Sequence, residues 1–133
     1  MKYLILGVLF LLPYSSQAYN QETATYVAER AIEQGVNPAL IVAVGICESD
    51  LRHKGVWGDN FKAYGIFQFW EKTFNWMSKQ SSGSVLDWKS FEDQVDVAIW
   101  AFKNGYRSHW TCAKMYKNVT VLTEPAHKHL AMK

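Results

Sequence analysis

The 133-residue chain is short of several things, and each shortage narrows what it can be. No segment repeats and a single hydrophobic pattern runs through it, so the length supports one modest core and not two. Charge of one sign is scarce: 14 Lys and Arg face 12 Asp and Glu, a formal net charge of +2. The basic residues do not cluster, so the footprint of a nucleic-acid binder is missing. Long apolar runs are missing too. The longest, Tyr3 to Leu12, is ten residues, against the roughly 20 that a membrane-crossing helix needs. With Lys2 ahead of it and Ser16-Gln17-Ala18 as a small-x-small site behind it, this run reads as a signal peptide over residues 1–18. The expectation is therefore a single domain over 19–133 in a secreted or periplasmic protein, a monomer with no stable membrane insertion after cleavage.

Cysteine is limited to Cys47 and Cys112. In an oxidising compartment paired thiols tend to become disulfides, and this bridge would stabilise the fold by roughly 4 kcal/mol in the chain-entropy model. The rival is a nucleophilic Cys47 with His53 or His109 as its base. Reactive cysteines favour helix N-termini, where the dipole lowers the thiol pKa; Cys47 lies nine residues beyond the helix start expected at Pro38. That position favours the disulfide and leaves a thiol hydrolase as a reading that a thiol titration decides.

What is present is mostly helical. Asn20 is placed to cap a first helix with apolar positions Ala24, Val27, Ala31 and Ile32, ending at Gly35. Asn37-Pro38 then combines an N-cap with proline at the first helical position, starting a second helix that runs to about Ser49. Residues 51–70, punctuated by Gly55, Gly58, Asn60 and Gly65, read as a structured loop or small β-hairpin. Thr73 is expected to cap a third helix ending near Gly83. Ser90 with Asp93 opens a fourth, striped by Phe91, Val95, Ala98, Ile99 and Phe102 and closed by Gly105. A short fifth helix would hold Cys112 and Tyr116, before a poorly ordered tail from about Asn118.

Glu48 is the residue that this pattern makes conspicuous. Leu40, Ile41, Val44 and Glu48 share one helical face, so the carboxyl points to the edge of the core. It also sits in the last turn, where the helix dipole opposes ionisation. Both effects raise a carboxyl pKa, and a glutamic acid still protonated near neutrality is what general acid catalysis requires. The structural alternative is an ion pair with Arg52 or Lys54. Between Trp57 and Trp76 stand eight aromatics: Trp57, Phe61, Tyr64, Phe67, Phe69, Trp70, Phe74 and Trp76. Most of these rings are expected in the core. The remainder, with Gln68, Asn60 and Asp59, would furnish a sugar site, where rings stack on apolar C–H faces and polar groups bond hydroxyls.

Glu48-Ser49 followed by Gly65-Ile66-Phe67-Gln68, with Val56-Trp57-Gly58-Asp59 between them, resembles the ordered motifs of the lysozyme-like superfamily of lytic transglycosylases and goose-type lysozymes. The resemblance spans roughly Asn37 to Tyr106. It implies a mainly α, lysozyme-like α+β fold, with a catalytic helix followed by the aromatic-rich loop or hairpin. It implies cleavage of the β-1,4 bond between N-acetylmuramic acid and N-acetylglucosamine in peptidoglycan, without a cofactor or metal. Glu48 would be the acid; Ser49 would order the helix end, Gln68 would contact substrate, and Gly65 would let backbone come close. Two departures stand out. The family's Ala-Tyr-Asn-x-Gly is here Ala101-Phe102-Lys103-Asn104-Gly105, so the tyrosine hydroxyl must come from Tyr64 or Tyr106; Ser49, Tyr64, Gln68, Phe102 and Tyr106 form the expected substrate-binding set. The aspartate that goose-type enzymes carry just after the glutamine motif is replaced by Trp70.

The second departure bears on chemistry. Inverting hydrolysis needs a second carboxylate roughly 6.5 to 9.5 Å across the bond, for which Asp59 is the candidate; Asp50, two residues past Glu48, is turned about 200° away. A transglycosylase needs no partner, because the muramyl 6-hydroxyl closes an anhydro ring, and the reading leans that way. The alternatives are an inverting lysozyme using Asp59 and a secreted carbohydrate-binding protein on the same scaffold. His127 and His129 in the tail read as a solvated end rather than a metal site, since structural sites usually take four ligands. Asn118-Val119-Thr120 is a glycosylation sequon in a eukaryotic source only.

Overall fold

A computed structural model describes residues 15–116. The apolar run at 3–12, the tail from 118, its sequon and its two histidines lie outside the described residues. Helix α1 spans Ser15–Glu33, α2 Pro38–Ser49, α3 Glu71–Ser82, α4 Phe91–Lys103 and α5 Thr111–Lys114. Three two-residue strands, β1 (Trp57–Gly58), β2 (Ala63–Tyr64) and β3 (Phe69–Trp70), form an antiparallel meander in chain order. Trp57 faces Tyr64, which faces Phe69 in turn. The mainly helical, lysozyme-like α+β class is thus as expected. Among the described residues no helix is long and apolar enough to cross a membrane.

The core lies where α1, α2 and α4 meet. Leu40, Ile41 and Val44 on α2 are buried, packed with Val27 and Ala31 on α1 and with Val95, Ala98 and Phe102 on α4. Two expected caps are corrected. α1 begins at Ser15, so Asn20 lies inside the helix; nothing from residue 15 to 19 is a Gly or Pro that would stop it. α3 begins at Glu71 rather than with Thr73 as cap, because β3 runs directly into it and Trp70 serves as N-cap through its backbone, without a side-chain bond.

The ends of α2 and α4 follow their sequence signals. Asn37 Oδ1 accepts from the N–H groups of Ala39 (2.9 Å) and Leu40 (3.4 Å) ahead of α2. Ser90 Oγ accepts from the Asp93 N–H at the start of α4 (3.2 Å), but the Asp93 carboxylate takes the Asp87 N–H instead of completing a reciprocal box. The C-terminus of α2 lacks glycine and still turns left-handed, at Asp50 (φ 56°) and Leu51 (φ 57°). The Leu51 N–H returns to the Gly45 carbonyl, folding Leu51 back beneath the helix. Gly45 makes room for it: a Cβ there would lie 2.8 Å from Leu51 Cδ2.

Behind the sheet, three polar side chains do what apolar packing does elsewhere. Gln94, fully buried on α4, donates to the carbonyls of Tyr64 (2.9 Å) and Trp88 (2.8 Å) and accepts from the Phe67 N–H. His53 Nδ1 accepts from the Ile66 N–H, which leaves Nε2–H to donate to the Lys89 carbonyl (2.7 Å). Ser49 Oγ donates to the Ile66 carbonyl (2.8 Å). The turn from Gly65 to Gln68 is held from both sides. Gly65 has φ +82°, and a Cβ on it would lie 2.6–2.7 Å from His53 and Gln94, so glycine is required there.

Candidate active site

A cleft of about 480 Å³ opens between two walls. Glu48, at the C-terminal end of α2, stands on one wall with His109, Trp110 and Thr111, from the short 3-10 turn Arg107–His109 and the start of α5. Asp59, Ala63, Gln68 and Trp70 from the sheet, with Thr73 on α3, form the other.

The helical wall is fixed covalently. Cys47 and Cys112 form a disulfide and no free cysteine remains, which removes the nucleophilic reading of Cys47. The bridge joins α5 to the residue next to Glu48. Glu48 is half-buried, and loss of solvent pushes its carboxyl pKa above the ordinary glutamate value; the backbone N–H of Cys112 donates to it and opposes part of that rise. Among the described residues no cation pairs with Glu48, because the ion pairs there are Arg30 with Glu33 and with Asp96 on α1 and α4. Its proton affinity therefore comes from dehydration, as expected from its place on the apolar face.

The sheet wall is built differently. Asp59, Asn60 and Phe61, in the β1–β2 turn, all have positive φ (52°, 53° and 64°), as does Gln68 (48°). Left-handed backbone in a bulky residue such as Phe61 costs energy and tends to persist where surroundings enforce it. Gln68 Nε2 donates to the Gly65 carbonyl (2.9 Å) and the Val56 carbonyl (3.3 Å). Its Oε1 lies over Gly58, where any side chain would collide with it. Asp59 is exposed, and no described residue bonds its carboxylate.

Of the expected site residues, the structure brings Glu48, Asp59 and Gln68 into one cleft. Ser49 is buried beneath it. Tyr64 is buried behind the sheet, its hydroxyl accepting from the Gly55 N–H. Phe102 is buried in the core against Trp110, at 5.2 Å between rings. Tyr106 is half-buried outside the cleft, stacked on Trp100. Among the described residues no tyrosine lines the cleft. The eight aromatics divide evenly: Tyr64, Phe67, Phe69 and Phe74 are buried, whereas Trp57, Phe61, Trp70 and Trp76 are exposed. More rings face solvent than the expectation of a mostly buried set allowed: Trp57 and Trp70 on two-residue strands, Phe61 in the β1–β2 turn and Trp76 on α3.

Sequence reasoning did not assign His109, Trp110 and Thr111 to the site. The signal was Cys112 itself, since a bridge to Cys47 brings its neighbours to Glu48. Trp110 is held by its indole N–H, which donates to the Phe67 carbonyl (2.9 Å). Among the described residues no three of His, Cys, Asp and Glu gather to hold a metal ion.

The family model described as phage tail lysozyme matches residues 22–129. No curated protein and no solved structure matches the chain.

Proposed function

Because the chain belongs to the phage tail lysozyme family, a lysozyme-like group of glycan-cleaving enzymes whose substrate is peptidoglycan, we propose that Glu48 is its general acid. In this reading it protonates the glycosidic oxygen between N-acetylmuramic acid and N-acetylglucosamine. The observation that carries the proposal is the half-buried Glu48 on the cleft wall, its pKa raised by loss of solvent. A raised pKa keeps the carboxyl protonated to higher pH than an ordinary glutamate, which suits a group that donates its proton as the bond breaks.

The fate of the sugar cation divides two chemistries. Asp59 lines the same cleft, which supports inverting hydrolysis: its carboxylate takes a proton from water, the water oxygen bonds C1, and the glycosidic oxygen leaves with the Glu48 proton. The transglycosylase reading, toward which the sequence leaned, draws support from the lack of any bond holding Asp59 among the described residues and from Trp70 at the second aspartate position. There the bond from C1 to the glycosidic oxygen breaks as that oxygen leaves with the Glu48 proton. The muramyl 6-hydroxyl oxygen bonds C1 to close an anhydro ring, and the Glu48 carboxylate takes up the hydroxyl proton. The presence of both carboxyl groups along one cleft is what supports hydrolysis over transglycosylation. Export belongs to the same proposal, supported by the disulfide, which forms in oxidising compartments.

Mass spectrometry of peptidoglycan digested with the parent enzyme, Glu48→Gln and Asp59→Asn tests all of this. Glu48→Gln should lose at least about 10²-fold in cleavage while still binding glycan; retained cleavage removes Glu48 as the acid. Reducing ends from the parent and a large loss in Asp59→Asn fit hydrolysis. Anhydromuramyl ends and little loss fit transglycosylation.

A further inference from the structure

Trp76 has no part in the core. α3 buries Phe74, Met77 and Ser78, and Trp76 projects from another face, 45% exposed. The Tyr106 ring meets it edge-on at 5.3 Å, and Tyr106 in turn stacks on Trp100 at 5.5 Å with the planes 16° apart. The row touches the cleft at two places. His109, which lines the cleft, lies 6.1 Å from Tyr106 ring to ring. Thr73, also in the cleft, is three residues before Trp76 on α3, so the two are neighbours on the helix surface. At its far end Trp100 lines a groove of about 520 Å³, where Ser82, Lys103 and Asn104 supply polar groups beside the ring.

We propose that the row Trp76–Tyr106–Trp100 is a second glycan-binding surface, outside the cleft, that holds the peptidoglycan strand beyond the bond being cut. The proposal rests on the glycan-cleaving reading of the cleft. Three features select a sugar chain as occupant. The row continues a cleft that takes only a short piece of a polymer. Trp76 is the exposed ring of the row, backed by the half-buried Tyr106–Trp100 stack, and an exposed indole is suited to the apolar C–H face of a pyranose unit. Trp76 lies outside the core, one helical turn from Thr73 of the cleft, and its exposed surface is open to a strand that leaves the cleft.

The test measures binding in the Glu48→Gln protein, so that the probe is not consumed. The probes are soluble peptidoglycan glycan strands and the N-acetylglucosaminyl-N-acetylmuramic acid disaccharide. Adding Trp76→Ala should weaken binding of the long strands by about tenfold or more, the loss expected for truncating an aromatic anchor. Disaccharide affinity and thermal midpoint should stay unchanged, and Trp76→Phe should restore most of the strand affinity. Unchanged strand binding in Trp76→Ala overturns the proposal, and so does an equal loss for both probes, which would put Trp76 inside the cleft. If the Glu48→Gln protein itself binds neither probe, the glycan reading of the cleft fails and takes this inference with it. If it binds both and Trp76 is silent, only this inference falls.

Discussion

The two walls of the cleft carry one carboxyl each and treat it in opposite ways. On the helical wall, Glu48 ends a regular helix, is half-buried, receives a backbone N–H from Cys112 and adjoins a covalent cross-link. On the sheet wall, Asp59 sits in a left-handed turn, exposed and bonded by no described residue. The difference is one of burial: loss of solvent raises the pKa of Glu48, whereas Asp59 stands open to water. The supports differ as well. The helical wall is tied by a disulfide, whereas the sheet wall is held by hydrogen bonds with Gln94, His53 and Ser49.

Removing one support at a time separates the walls. The largest effect is expected from Cys47→Ser combined with Cys112→Ser, which should cost roughly 4 kcal/mol because the bridge closes a long loop. Denaturant unfolding with and without reductant measures it; equal midpoints for the oxidised parent and the double variant would show that the bridge carries no stability. Gln94→Leu should come next, at about 3 kcal/mol, since it orphans the Phe67 N–H and two carbonyls in a buried place. Hydrogen exchange should then rise first in residues 63–70 and not in α2. Faster exchange in α2 alone would mean that the two walls share one support.

A smaller effect concerns the carboxyls themselves. The pKa of Glu48 is higher in the folded protein than in the unfolded chain, so its contribution is harmless at low pH and turns destabilising as pH rises through the folded value. Glu48→Gln should therefore match the parent in thermal midpoint below the ordinary glutamate pKa and exceed it increasingly above. A midpoint gap that shrinks as pH rises would reverse the sign and show Glu48 to be held as an anion. Smallest of all, Asp59→Asn should change stability by less than about 0.5 kcal/mol, measured by denaturant unfolding, since asparagine tolerates left-handed backbone and no bond is lost.

What was legible in the sequence is what depends on near neighbours. Asn37-Pro38 and Ser90 mark their helices because the cap and the N–H groups it serves lie within three residues. The burial of Glu48 was legible from its period-3.6 company with Leu40, Ile41 and Val44. The cap at Trp70 was not, because a strand leading straight into a helix leaves no side-chain signature. Nor was the role of Gln94, which looks like one more polar residue on α4 until the turn from Gly65 to Gln68, about 30 positions away, is folded onto it. Phe102 belongs to the apolar stripe of α4, and the stripe places it in the core rather than in the substrate-binding set where the resemblance had put it.

The disulfide has a topological meaning beyond its strength. It closes the chain from Cys47 to Cys112 into a ring, and every residue that lines the cleft, from Glu48 to Thr111, is a member of that ring. The first helix lies outside it. A protease that cuts one peptide bond within the ring leaves two pieces still joined, so a single nick cannot release either wall.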